Sequence, residues 1–105
     1  MTTNNIIAEL KPSASDTVLM FYDITGNGVQ GNLFFVNQSS VADKVRIAIC
    51  PVDQPPTPDN YLMYDGVIPP NHTVVLQEIA LAQFERLYVF SQNGSTSFVY
   101  TGLRY

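Results

Sequence analysis

Short runs of Val, Ile, Leu, Phe and Tyr recur along this chain, each stopped by Gly, Pro, Asn, Asp or Ser, with breaks roughly every 8 to 14 residues. That spacing belongs to a sandwich or barrel, so the sequence predicts an all-β fold of about seven or eight strands. The first two are Ile6 to Leu10 and Thr17 to Ile24, the second placing Val18, Met20, Tyr22 and Ile24 on one face. Thr25-Gly26-Asn27-Gly28 suits the positive φ angles of a tight hairpin, with the chain returning through Val29 to Val36. Lys44 to Cys50 alternates, with Val45, Ile47 and Ile49 opposite Arg46.

The segment from Pro51 to Asn60 holds four of the seven prolines, which continue neither a ladder nor a helix, and reads as a long exposed loop. Tyr61 to Ile68 and Thr73 to Glu78 follow as strands, joined through a turn at Asn71-His72. Ile79 to Glu85 suggests one helical turn. Arg86 to Gln92 and Thr96 to Tyr105 flank Asn93-Gly94, a type I′ signal that predicts a closing hairpin. No repeat or composition shift divides residues 1–105, so one antiparallel β-sandwich, jelly-roll or Ig-like, is the expected architecture.

Composition narrows the functional classes. Five Lys and Arg against nine Asp and Glu give a net charge of −4 and no cationic run to neutralise phosphates, so nucleic acid is not an expected partner. No apolar run reaches the roughly 20 residues of a membrane helix, and the start of the chain lacks the charged-then-apolar order of a secretory signal. The expectation is a chain without membrane attachment, made in a cytoplasm. With 13% charged residues, much of the surface falls to Asn, Gln, Ser, Thr and Tyr, which suits packing among copies.

Catalytic chemistry finds little to use. One His and one Cys, at His72 and Cys50, do not make a metal cluster, and no cofactor is expected. His72 sits in a turn-type segment, and Cys50 reads as a small buried strand residue. Asp59 and Asp65 flank the Tyr61 strand and Glu78 and Glu85 flank the expected helical turn, all read as solvated charges, without the pairing of a glycosidase acid and base. Asp53, Asp59 and the carbonyls of the proline loop form no ordered calcium motif. Asn37-Gln38-Ser39, Asn71-His72-Thr73 and Asn93-Gly94-Ser95 match the glycosylation pattern but read as turn residues. Tyr61, Tyr64, Tyr88, Tyr100 and Tyr105 are the candidate binding residues, because a phenol suits a half-exposed position at an interface or against a sugar ring.

Leu33-Phe34-Phe35-Val36-Asn37-Gln38-Ser39-Ser40 leading into Val41-Ala42-Asp43-Lys44-Val45-Arg46-Ile47-Ala48-Ile49 resembles a pattern of small virion proteins of tailed bacteriophages. The resemblance runs on through Tyr61 to Asp65, Ile68 to Thr73, Arg86 to Val89 and Ser91 to Phe98. It implies a small β-sandwich in the virion, assembling as a symmetric homo-oligomer, a trimer favoured, on capsid, tail, baseplate or fibre subunits. On that basis the expected role is non-enzymatic: a capsid decoration (cement) protein, with a tail or baseplate component or a carbohydrate-binding module as alternatives.

Overall fold

In the computed structural model, residues 5–22, 28–51 and 53–104 are described. Eight strands form: β1 (Asn5–Leu10), β2 (Asp16–Tyr22), β3 (Val29–Asn37), β4 (Asp43–Cys50), β5 (Tyr61–Ile68), β6 (Thr73–Leu81), β7 (Arg86–Ser91) and β8 (Thr96–Arg104). They make two antiparallel four-stranded sheets, ordered β1-β8-β3-β6 and β2-β7-β4-β5. The first pairs with the last, the second with the seventh, the third with the sixth and the fourth with the fifth. The chain is thus one long hairpin with its tip at the proline segment, rolled so that successive strand pairs fall in alternate layers. This is the jelly-roll arrangement and not the Ig-like one.

Rolling changes what the turns do. Only β4 and β5 are consecutive strands paired within a sheet; every other link carries the chain from one layer to the other. The hairpin expected at residues 25–28 is therefore not one, since β2 pairs with β7 while β3 pairs with β6 and β8. Ile24 to Asn27 lie outside the described residues. Asn93-Gly94 is likewise an arch from β7 to β8 across the layers, although Gly94 does take a positive φ of 70°. The helical turn expected over Ile79 to Glu85 is also absent: β6 runs to Leu81, and Glu85 N–H closes a tight turn on the Ala82 carbonyl. The one helical piece among the described residues is a single 3-10 turn, Pro58–Asn60, at the end of the proline loop.

The core lies between the sheets, built from the inward positions of each strand, among them Leu33, Phe35, Ile47, Leu87, Val89 and Phe98. Phe35 stacks on Phe98 with centroids 5.6 Å apart. Tyr100, proposed from sequence as a binding residue, is instead completely buried here, its hydroxyl donating to the Ile79 carbonyl at 2.5 Å. Alternation along β8 puts Phe98 and Tyr100 on the same inward side, and a buried phenol needs such an acceptor. Tyr100→Phe is expected to lower stability by about 1–2 kcal/mol, leaving the Ile79 carbonyl without this donor; urea unfolding of the pair checks it, and no change would mean the hydroxyl contributes nothing net.

One end of the sandwich is tied by a buried polar network. Asp43 at the start of β4 is 1% exposed, and its carboxylate accepts from the hydroxyls of Ser91 and Thr96 and from the amides of Asn93 and Lys44. Asn37 at the end of β3 is fully buried and donates to the Val41 and Ile68 carbonyls at 2.8 and 3.1 Å, while its own carbonyl accepts from Ser95 Oγ at 2.9 Å. The two side chains join the β3–β4, β5–β6 and β7–β8 arches, and Ser15 N–H bonds the Ser91 carbonyl to add the β1–β2 link. The opposite end carries the proline loop.

Candidate functional site

The outer face of the β2-β7-β4-β5 sheet carries most of the exposed aromatic chemistry. Two adjacent cross-strand rows build it. In the first, register sets Leu19, Tyr88, Ala48 and Tyr61 side by side. In the second, Thr17, Phe90 and Arg46 follow one another, with Tyr64 and Asp65 beyond Arg46 on β5.

Tyr61 and Tyr64 share this face because β5 is irregular. Along a regular strand, residues three apart point to opposite faces. Here the β4–β5 register slips twice, between Ile47 and Ala48 and again between Val45 and Ile47, so β5 gives extra residues on either side of Met63. Asp65 takes a positive φ of 55° within this stretch. The Tyr61 and Tyr64 rings then meet edge to face, 4.9 Å between centroids and 85° between planes. Bulges of this kind commonly re-aim side chains near binding sites.

Arg46 locks the corner from behind. Its guanidinium lies 4.2 Å from the Tyr64 centroid and 4.4 Å from that of Phe90, so it is held between two rings. Its Nε donates to Asp65 Oδ1 at 2.7 Å and its Nη2 to Oδ2 at 3.4 Å. The hydrogen bond from Arg46 holds the Asp65 carboxyl below its ordinary value, and the same contact raises the guanidinium further. Asp65, read from sequence as a solvated charge flanking the strand, is thus part of β5 and of this paired site. Beside the tyrosines, Pro56, Thr57 and Pro58 complete an open groove of about 470 Å³. Thr57 is fixed by Asn60, whose side-chain oxygen accepts from the Thr57 amide and hydroxyl at 2.8 and 2.9 Å.

Of the five tyrosines proposed from sequence, the sheet therefore brings Tyr61, Tyr64 and Tyr88 to one face, Tyr100 is in the core, and Tyr105 lies outside the described residues. The proline wall belongs to the Pro51 to Asn60 segment read from sequence as an exposed loop, whereas Arg46 and Phe90 were not singled out; only the alternation of Arg46 against Val45 and Ile47 hinted that it left the core. Elsewhere Arg86 packs over Tyr22 at 4.5 Å and bonds Asp53 at 3.3 Å.

The other chemistry-bearing residues are dispersed. His72 is exposed in its turn, Nδ1 2.8 Å from the Pro70 carbonyl oxygen, and Cys50 is buried, which pushes its thiol up and away from a reactive thiolate. Glu85 accepts from the Ala82 amide, and Glu78 lies within β6, its amide bonded to Asn32. Among the described residues no three His, Cys, Asp or Glu come together as a metal site, and no helix is long and apolar enough to cross a membrane. No protein family, curated protein or solved structure matches the chain.

Proposed function

We propose that this chain is a non-enzymatic structural protein of a bacteriophage virion, a decoration subunit that assembles as a symmetric homo-oligomer and docks on coat subunits through its sheet faces. The observation that carries this reading is the contrast between edges and faces. All four edge strands, β1, β2, β5 and β6, are bulged, with register shifts at Ile6/Ala8, at Leu19/Phe21, twice along β5, and where Gln77 and Glu78 of β6 oppose Asn32. Bulged edges resist strand-by-strand extension. The faces, by contrast, carry apolar groups in contact with water: Phe34 and Val75, partners across β3 and β6, and Val67 on β5, which is 62% exposed. Closed symmetric assembly uses such patches without polymerising the sheets. The resemblance of Leu33 to Ile49 and of the later segments to small phage virion proteins supplies the setting. A jelly roll hosts many functions, so the fold alone does not decide among them.

Light scattering over a range of concentrations tests the assembly. A discrete trimer is expected, and the double variant Phe34→Asp/Val75→Asp is expected to give monomer with the same circular dichroism. A wild-type mass that stays monomeric at every concentration, together with antibodies to the chain that fail to label purified particles, would overturn the reading. Label on the tail tip instead of the head would assign the chain to tail or baseplate.

A further inference from the structure

The geometry points to a second capacity, beyond docking and independent of it: the corner made by Tyr61, Tyr64, Pro56, Thr57 and Pro58 is a binding site for an uncharged pyranose sugar. Four features of the groove favour that ligand.

The first is a flat apolar platform. With Arg46 over one face of its ring and the Tyr61 ring set at 85° to it, Tyr64 is still 59% exposed, so aromatic surface is open to a ligand with one apolar face. The C–H face of a pyranose is such a surface. The second is the rim. The Tyr61 and Tyr64 phenols and Thr57 line the groove with hydrogen-bonding groups beside the prolines, the combination of an apolar floor and a few polar atoms that orients small polar ligands.

The third is charge. Arg46, the cation against Tyr64, is committed to Asp65 on one side and held between Tyr64 and Phe90 on the others, and Lys44, whose charge also acts on Asp65, is not among the residues that line the groove. A sulfate, phosphate or acidic sugar could recruit Arg46 only by displacing Asp65. The fourth is that the corner is pre-formed. It depends on the double slip of β5 and on the Asn60 clamp of Thr57, so the ligand does not have to order the wall it meets. A polyproline segment, which would also like tyrosines, needs successive ridges for successive turns. The groove offers one exposed ring.

The test uses the whole chain labelled at its tyrosine rings and titrated with the methyl glycosides of glucose, galactose and N-acetylglucosamine. At least one is expected to shift the Tyr61 and Tyr64 signals with a dissociation constant of about 1–10 mM, the range appropriate to a single stacked ring. Tyr64→Ala is expected to weaken that binding at least about fivefold while remaining folded at the titration temperature, with the wild-type circular dichroism, and Tyr64→Phe to hold it within about twofold, since the platform remains. No shift at either tyrosine with any of the three up to about 100 mM would overturn the site. So would shifts that survive Tyr64→Ala, tighter binding of N-acetylneuraminic acid than of the neutral sugars, or a response to decaproline alone. A failure of assembly would leave these signals in place, and a failure of sugar binding would leave the oligomer in place.

Discussion

Asp43→Ala is expected to remove about 3–5 kcal/mol of stability, enough to lower the melting temperature by more than about 12 °C in a chain of this size. The carboxylate is buried and makes no ion pair among the described residues, and four donors converge on it from three segments: Ser91 and Thr96 hydroxyls, and the Asn93 and Lys44 amides. Alanine leaves all four facing an empty acceptor position. Burial by itself would push the Asp43 carboxyl up, but the hydrogen bonds together outweigh it and hold the group below its ordinary value. A carboxyl depressed in the folded state contributes stability that is fully present above its unfolded value, near pH 4, and lost as pH falls through the lower folded value. The melting-temperature gap between wild type and Asp43→Ala is therefore expected to be widest at neutral pH and to shrink below about pH 4. Parallel curves down to pH 2 would show that Asp43 titrates alike in folded and unfolded chains. The same variant loosens the arches, not the tyrosine corner, so sugar titration at a temperature where it remains folded should match wild type.

Fold class, strand number and most strand limits were legible because alternation and turn residues are local signals. What local signals could not carry was the partner of each strand. Thr25 to Gly28 and Asn93-Gly94 have the composition of tight hairpin turns, yet at the second of these the chain crosses layers because Asp43, fifty residues earlier, holds the Asn93 amide and the flanking Ser91 and Thr96. The expected helix after Glu78 has a related origin. Val74 and Leu76 face the core on even positions, the bulge at Gln77 and Glu78 shifts the phase, and Ile79 and Leu81 face it on odd ones. Glu78 takes a positive φ of 59° there, and Asn32 satisfies its amide. A break in period 2 was thus read as a change of element. Tyr61 and Tyr64 were candidates from sequence, but that they meet at one corner was not legible for the same reason, since they share a face only through a bulge. The quoted virion-like motif does have a visible physical content: its Asn37 and Asp43 are the two buried anchors of the arches.

Gly31 on β3 and Gly102 on β8 are register partners with no room for a side chain between them and the neighbouring backbone, and here the second large effect is expected. A methyl group on Gly102 would lie 2.2 Å from the Gln30 carbonyl oxygen and 2.7 Å from Gly31 Cα; one on Gly31 would lie 1.8 Å from the Thr101 carbonyl oxygen. These are backbone atoms of central strands, locked by ladders on both sides, so neither strand can move away without breaking its own pairing. Gly102→Ala is expected to cost about 3 kcal/mol or more, a fall of roughly 2 M in the urea midpoint. Gly66 supplies the comparison. The nearest atoms its added methyl would meet are those of the Met63 side chain, with Sδ at 2.5 Å, and a flexible thioether chain can rotate aside, so Gly66→Ala is expected to cost less than about 1 kcal/mol. Gly31→Ala should behave like Gly102→Ala, and the double variant should not rescue either, since each methyl strikes backbone and not the other methyl. If Gly102→Ala and Gly66→Ala unfold at the same urea concentration, the two central strands of the β1-β8-β3-β6 sheet are not as close as the register requires. Gly102 follows Tyr100 on the inward side of β8, so a shifted strand would also pull that hydroxyl from the Ile79 carbonyl, coupling this change to Tyr100→Phe and making the two less than additive.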